Sequence, residues 1–238
     1  MASKKVEFKG ACAATATPFT ADDEVNIEEY KRHVEFMISS GLNALFPVGF
    51  VSGGLTLSPE EWRAVVKATV EQANGRVPVF PMCYVPGTKN AIRQIKEMQD
   101  LGADGAYLPT PPVWRAGSPA VYQHYRMLAE QTEIPLILYN AWITTGTVLP
   151  FEVVVRLVDE FPGKIIGYKE HDITSLPVVI AKLGSRISIA PSCLDIYILP
   201  GLALGVHAKM SMMAMVVPKR YVEMFNSYKA GNVERAKQ

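Results

Sequence analysis

The 238-residue sequence has little cysteine or histidine, and neither occurs at the spacing of a metal site. Its 3 cysteines and 4 histidines are scattered, without a CxxC, HxH or HExxH pattern. We therefore expect neither a structural nor a catalytic metal, and no cofactor. A sparse and odd number of cysteines is typical of a reducing compartment and favours a cytoplasmic location.

The sequence also lacks a charge excess and a long apolar run. Its 24 basic and 23 acidic residues give a formal net charge of +1, which does not suggest binding to nucleic acid or to a membrane surface. The apolar runs have the length of strands, too short to span a membrane. The charged residues that follow Met1 do not lead into the apolar core of a signal peptide.

What the sequence does contain is an alternation of short apolar runs with amphipathic stretches. Hydrophobic residues make up 49% of the chain, which is enough for a single core. Strands are predicted at 11–16, 44–48, 77–82, 105–108, 134–139, 164–169, 187–190 and 206–210. Helices are predicted at 27–40, 59–73, 90–101, 150–161, 174–183 and 218–230, with another that starts at 118.

These units predict an α/β fold in one domain that spans residues 1–238. Continuous apolar strands separated by helices indicate a parallel sheet buried on both faces. Eight such units are typical of a closed (β/α)8 or TIM barrel. A doubly wound open sheet is the alternative. It would place a glycine-rich turn after the first strand, where Thr17-Pro18-Phe19 stands instead.

Lys169 is the most informative residue, because it ends the apolar run 165–169. A buried lysine is costly to keep charged, and a neutral amine at a barrel mouth can attack a carbonyl to form a Schiff base. A lysine that reaches from a strand end into solvent is the other interpretation. Tyr139 ends the preceding strand, so its phenol is expected to meet the amine and to relay protons. His171 would share the face of Lys169 as a second acid or base, or would lie in a surface loop.

Several segments together resemble the family of dihydrodipicolinate synthase and N-acetylneuraminate lyase, which are pyruvate-dependent class I aldolases. The resemblance covers nearly the whole chain and rests on Thr17-Pro18-Phe19, 57–61, 101–105, Tyr139-Asn140, 166–170 and 199–205. It implies that Lys169 forms an imine with pyruvate or a longer 2-oxo acid and that Tyr139 shuttles the proton. It also implies a homotetramer or a homodimer, and a C-terminal helical extension that is missing or truncated here.

The loop after the second strand departs from that family. The family pattern Gly-Thr-Thr-Gly-Glu is represented by Gly49-Phe50-Val51-Ser52-Gly53, so both threonine hydroxyls are gone. Backbone N–H groups near 52–54 and at Met210 then become the candidate ligands of the substrate carboxylate.

Other departures make the barrel mouth apolar and aromatic. Pro112-Val113 and then Trp114 stand where the synthases have paired tyrosines, Trp142 stands for a proline, and Thr144 stands for an arginine. These changes argue against dihydrodipicolinate synthase itself and against a sugar-acid lyase. They favour an apolar or aromatic aldehyde as the second substrate.

The sequence therefore predicts a Schiff-base lyase, either an aldolase or a hydratase-aldolase. A 2-oxo-3-deoxy acid dehydratase and a catalytically inactive metabolite-binding barrel remain the alternatives. Lys169 and Tyr139 are the predicted catalytic residues. The predicted substrate-binding residues are Thr17, Phe50, Val51, Ser52, Gly53, Trp142, His171 and Met210.

Overall fold

The computed structural model describes residues 6–111, 115–192 and 195–238. The strands in these ranges are β1 (Gly10–Ala14), β2 (Ala44–Phe46), β3 (Ala106–Pro109), β4 (Leu136–Tyr139), β5 (Ile165–Glu170), β6 (Ser188–Pro191) and β7 (Ala208–Ser211). The helices are α1 (Ile27–Ser39), α2 (Pro59–Ala73), α3 (Thr88–Asp100), α4 (Ser118–Gln131), α5 (Trp142–Thr145), α6 (Phe151–Glu160), α7 (Leu176–Leu183), α8 (Ile198–Leu204), α9 (Pro218–Lys229) and α10 (Val233–Lys237).

The strands are parallel and close into a (β/α)8 barrel, as the sequence predicts. Regular pairing gives the orders β2-β1-β7 and β3-β4-β5-β6. The amide of His207 joins the two groups on one side, because it donates to the carbonyl of Ile189 at 2.9 Å. Residues 78–83 join them on the other side. The amide of Phe80 donates to Leu45 at 2.9 Å, and that of Cys83 donates to Tyr107 at 2.9 Å.

The segment 78–83 replaces the third predicted strand with two isolated bridges, at Val79 and Met82. Pro78 and Pro81 explain the interruption, since proline has no N–H to donate to a neighbouring strand. The remaining differences are local. Residues 173–175 form a 3-10 turn before α7, and the structure adds the short helices α5 and α8, which the sequence analysis did not predict.

Helix boundaries follow local capping signals. The Ser58 hydroxyl accepts from the amide of Glu61, whose carboxylate accepts from the amide of Ser58, so a capping box opens α2. The side chain of Asn26 caps α1 in the same manner at the amide of Glu29. In the described part of the chain, no helix is both long and apolar enough to cross a membrane.

Strand alternation divides the core into two layers. One set of buried side chains packs between the strands and the helices. The other fills the barrel interior and includes Phe8, Phe46, Phe80, Tyr107 and Ile137. The ring centroids of Phe46 and Tyr107 are 5.2 Å apart in an edge-to-face contact. This packed aromatic interior forms the floor beneath the carboxyl ends of the strands.

Candidate active site

A cavity of about 320 Å³ opens at the carboxyl ends of the strands. This is the end at which barrel enzymes carry out their chemistry. Six of the predicted site residues line it, namely Phe50, Val51, Tyr139, Lys169, His171 and Met210. Other lining residues include Phe46, Gly49, Tyr107, Thr144, Ser192, Asp195 and Lys209. The walls are therefore mainly apolar and aromatic, with a few polar groups.

Lys169 and Tyr139 meet in this cavity. They are direct register partners on β5 and β4, and both are buried, with exposed fractions of 5% and 7%. Lys169 Nζ lies 4.4 Å from the centroid of the Tyr139 ring and 5.5 Å from that of Tyr107. The Met210 sulfur is 4.0 Å from Nζ. Two aromatic rings and a thioether thus lie next to the amine, where the rings would stabilise the positive charge of an imine formed at this nitrogen.

The Tyr139 phenol is held on its face and at its oxygen. Its ring stacks on that of Tyr107, with centroids 5.2 Å apart and planes inclined by 14°. The Ser192 hydroxyl donates to the phenol oxygen at 2.8 Å. Burial raises the pKa of Tyr139 above its ordinary value, while the hydrogen bond from Ser192 lowers it and the nearby Glu170 raises it. The net direction is upward, so the phenol keeps its proton at neutral pH.

A buried network directly follows this pair along both strands. Glu170 follows Lys169 in the chain, and Asn140 follows Tyr139. The Nδ2 group of Asn140 donates to Glu170 Oε1 at 3.0 Å and to Glu170 Oε2 at 3.3 Å. The Glu170 carboxylate also accepts from the Tyr168 hydroxyl and, at 2.9 Å, from the amide of Asp172. These bonds fix the ends of β4 and β5 against each other and so set the separation of the two candidate catalytic groups.

The loop 49–54 places only part of the predicted set in the cavity. Gly49, Phe50 and Val51 line it, whereas Thr17, Ser52 and Gly53 are not among its described lining residues. Thr17 Oγ1 donates to the carbonyl of Ser52 at 2.7 Å. The amides of Ser52 and Gly54 both donate to the carbonyl of Gly49, each at 3.1 Å.

Those two amides are therefore engaged within the loop and do not form the expected anion nest. Gly53, with φ 71°, ends the 3-10 turn Phe50–Ser52, a conformation that favours glycine. Thr17, Ser52 and Gly53 thus shape the loop, and Phe50 presents its ring to Tyr84 at a centroid distance of 4.8 Å.

His171 and Trp142 mark the border with a second, more open cavity. Trp142, Val148, Phe151, Ile173 and Tyr197 are among its lining residues, and His171 lines both cavities. The rings of Trp142 and His171 meet edge to face with centroids 6.2 Å apart. Burial and then the charge of Lys169 lower the pKa of His171 from its ordinary value of 6.5. The imidazole is therefore neutral at physiological pH.

Lys209 is the second buried lysine near the cavity, with an exposed fraction of 2%. Its Nζ lies 3.6 Å from Asp195 Oδ1. Asp195 also accepts from Ser211 Oγ at 2.7 Å and from the Tyr221 hydroxyl at 2.9 Å. Lys209 thus belongs to a network that ties the segment after β6 to β7 and α9.

Three residues that shape the site were not among the predicted site residues. Ser192 lies two residues beyond the predicted strand 187–190, and its hydroxyl reaches Tyr139. The sequence indicates that Tyr107 faces the barrel interior, because it alternates on β3 with Ala106 and Leu108, which face outward. Glu170 directly follows the predicted strand 164–169, and its residue type alone does not indicate the buried network that it joins. Pro112, Val113 and Trp114 lie outside the described residues.

Within the described ranges, no three His, Cys, Asp or Glu side chains cluster to hold a metal ion.

Comparison with known proteins decides the family. Residues 7–238 match the Dihydrodipicolinate synthetase family. The chain belongs to this family. Its members are pyruvate-dependent, Schiff-base lyases of the aldolase type, and this chain is an enzyme of that class.

Relatives in this family align with almost the whole chain. The 4-hydroxy-tetrahydrodipicolinate synthase of Nitratidesulfovibrio vulgaris (strain Miyazaki F) is 32% identical over 235 residues, which cover 98% of this chain and 80% of the relative. The enzyme of the same name from Geobacter metallireducens is 34% identical, with coverage of 97% and 79%.

Solved structures of the family superpose closely. The dihydrodipicolinate synthase of Acinetobacter baumannii, determined in complex with pyruvate, gives a TM-score of 0.90 at 32% identity and covers 97% of this chain and 79% of that one. The synthase from Aquifex aeolicus gives 0.90 at 27% identity, with coverage of 97% and 78%. The barrel fold is thus that of this family.

Proposed function

We propose that the enzyme binds pyruvate, or a longer 2-oxo acid, as an imine of Lys169 and joins it to, or releases it from, an apolar or aromatic aldehyde. The contact between Lys169 and Tyr139 carries this proposal. An amine whose Nζ lies 4.4 Å from the ring of a buried phenol combines the nucleophile with a proton donor. Imine formation requires both groups.

Lys169 attacks the C2 carbonyl of the oxo acid, and the resulting hydroxyl leaves as water. The protonated imine then withdraws electrons from C3. This allows a carbon–carbon bond at C3 to form or break. The rings of Tyr107 and Tyr139, both within 6 Å of Nζ, stabilise the positive charge on that nitrogen.

The substrate carboxylate is expected next to the turn Phe50–Ser52 and the end of β7. Phe50 and Val51 begin this turn, and both line the same cavity as Lys169 and Met210. Backbone N–H groups at such a turn bind anions without a charged side chain. This assignment replaces the threonine hydroxyls of the family pattern with main-chain donors.

The second substrate is expected to enter over Trp142 and His171. Trp142 is 43% exposed and shares a cavity with Val148, Phe151, Ile173 and Tyr197. Such a wall suits an apolar or aromatic group and offers few partners for a polyhydroxylated chain. Neutral His171, between the two cavities, is placed to exchange a proton with the aldehyde oxygen.

A homodimer or homotetramer in the cytoplasm belongs to the same proposal. Large apolar side chains are exposed around the barrel mouth, including Ile143, Val148, Ile196 and Val216. Burial of such side chains between subunits would remove them from water. Light scattering is expected to give two or four times the mass of one chain, and a monomer would contradict this part.

Exchange of the methyl protons of pyruvate for deuterium tests the proposal without an aldehyde. In D2O, the wild-type enzyme is expected to remove the methyl signal from the proton NMR spectrum through the imine and its enamine. Lys169→Met should abolish exchange, and Tyr139→Phe should slow it by about 100-fold or more, since a positioned acid–base group contributes about 10²–10⁴-fold. Lys182→Met, at an exposed lysine in α7, is the matched control.

The outcomes separate the candidate functions. Exchange that depends on Lys169 but not on Tyr139 would contradict the proton-shuttle role. A folded wild-type protein without exchange at millimolar pyruvate would contradict the proposal and favour the inactive metabolite-binding barrel.

A further inference from the structure

The hydroxyl of Ser192 forms a hydrogen bond with Tyr139, the candidate proton shuttle. It directly follows β6, lines the cavity and is half-buried. Its Oγ donates to the Tyr139 phenol oxygen at 2.8 Å. Its backbone amide donates to the carbonyl of Glu170 at 2.6 Å. The serine is thus fixed at its main chain by the strand that carries Lys169, while its side chain points to the phenol on the next strand.

We propose that Ser192 is a positioning residue for proton transfer: its hydroxyl orients the Tyr139 phenol and stabilises the phenolate that forms during the reaction. This inference rests on the proposed function, since it concerns the proton steps of the Lys169 imine. It assigns to β6 a role that the family pattern gives to the threonines of the loop after β2, which are Phe50 and Val51 in this chain.

The proton balance shows where the serine acts. When Lys169 Nζ has added to C2 of pyruvate, the Tyr139 phenol donates its proton to the new hydroxyl, and the C2–O bond breaks to release water. The nitrogen lone pair forms the C=N bond, which leaves a protonated imine and a phenolate. The phenolate then takes a proton from C3, and the C–H electrons form the enamine. Tyr139 begins and ends as a phenol, and Ser192 donates to its oxygen throughout.

The two aromatic rings next to Tyr139 contact its ring rather than its oxygen. Tyr107 packs against the face of the Tyr139 ring, where it can hold the ring but cannot bond to the oxygen. The Phe50 ring, at a centroid distance of 6.5 Å, offers no donor. The titratable groups that face Tyr139 or share its cavity are Lys169, Glu170, Tyr107, His171, Asp195 and Lys209.

The test compares Ser192→Ala with Ser192→Thr, which keeps the hydroxyl. Ser192→Ala is expected to slow the deuterium exchange of pyruvate by roughly 10–100-fold, because a hydrogen bond to a charged oxygen is lost. The limb of the rate–pH profile that depends on Tyr139 should move to higher pH. Ser192→Thr should stay within about threefold of wild type, and in a Tyr139→Phe background Ser192→Ala should have little further effect.

Borohydride trapping and circular dichroism identify the cause of any loss. Ser192→Ala is expected to stay folded and to give a reduced pyruvate adduct on Lys169, at a lower rate. Exchange within twofold of wild type, an unshifted pH profile, or failure of Ser192→Thr to restore the rate would each overturn the role of Ser192. Failure of the wild-type protein to exchange or to form the adduct would overturn the proposed function, and this inference with it.

Discussion

Replacement of Glu170 should weaken both the fold and the catalytic geometry, because this carboxylate joins β4 to β5 beyond the Tyr139–Lys169 pair. It is 4% exposed, and its partners Asn140 and Tyr168 are 6% and 0% exposed. Glu170→Ala would leave the Asn140 amide and the Tyr168 hydroxyl as buried donors without this acceptor. The amide of Asp172 would lose its acceptor as well.

The expected loss follows from the number of buried donors. A buried polar group that loses its partner costs about 1–3 kcal/mol, so the two buried donors account for about 2–6 kcal/mol of the free energy of unfolding. The hydrogen bond of the partly buried amide adds about 1 kcal/mol, which gives a loss of about 3–7 kcal/mol. Typical domains have about 5–15 kcal/mol in total. Glu170→Gln should lose roughly half as much, because its carbonyl oxygen can still accept from one or two of these donors.

Urea unfolding followed by circular dichroism measures these changes. Glu130→Ala is the matched control, since Glu130 makes an exposed ion pair with Arg126 on α4, and such pairs contribute about 0–1 kcal/mol. The pyruvate exchange rate of folded Glu170→Gln should also fall. A loss of less than about 1 kcal/mol in Glu170→Ala would show that the network does not hold the strand ends together.

Three further predictions concern other parts of the barrel. Burial lowers the pKa of His124 to about 4, so the unfolded chain binds more protons than the folded chain between about pH 6.5 and 4. The free energy of unfolding should therefore fall by at most about 3 kcal/mol as the pH falls through this window. His124→Gln should flatten this pH dependence of stability, and an unchanged slope in the variant would contradict the prediction. A Cβ at Gly54 would lie 1.9 Å from the Val48 carbonyl oxygen. Gly54→Ala should therefore distort the loop 49–54 and raise the pyruvate concentration at which exchange is half-maximal. An unaltered affinity for pyruvate would exclude this loop from the pyruvate site. Trp142→Ala should raise KM for an aromatic aldehyde and leave pyruvate exchange unchanged, and an effect on exchange would place Trp142 at the pyruvate site instead.

Much of the fold is predictable because the strands of a parallel barrel are buried on both faces. Apolar runs therefore mark them in the sequence, and their number and spacing indicate eight units. The segment 78–83 shows the limit, since its apolar content predicts a strand while Pro78 and Pro81 remove two of its donors. Helix α8 was missed because Pro200 and Gly201 resemble a turn. Pro200 lies in the first helical turn, where its missing N–H is tolerated.

The candidate site likewise has one contact that the sequence predicts and others that it does not. That Lys169 and Tyr139 meet follows from their positions at the ends of adjacent strands, which the sequence order predicts. The contact of Ser192 with Tyr139 joins residues 53 positions apart and depends on the direction of a side chain after β6 ends. The absence of Thr17, Ser52 and Gly53 from the described cavity lining depends on hydrogen bonds to backbone carbonyls of one loop, which residue types alone do not determine.

Reduction of the pyruvate-treated enzyme with borohydride, followed by peptide mass spectrometry, shows which lysine forms the imine. We expect a mass gain of one reduced pyruvate unit per chain on the peptide that contains Lys169, and its loss in Lys169→Met. An adduct on Lys209, or none in the folded wild-type protein, would contradict the assignment of Lys169 as the imine-forming residue.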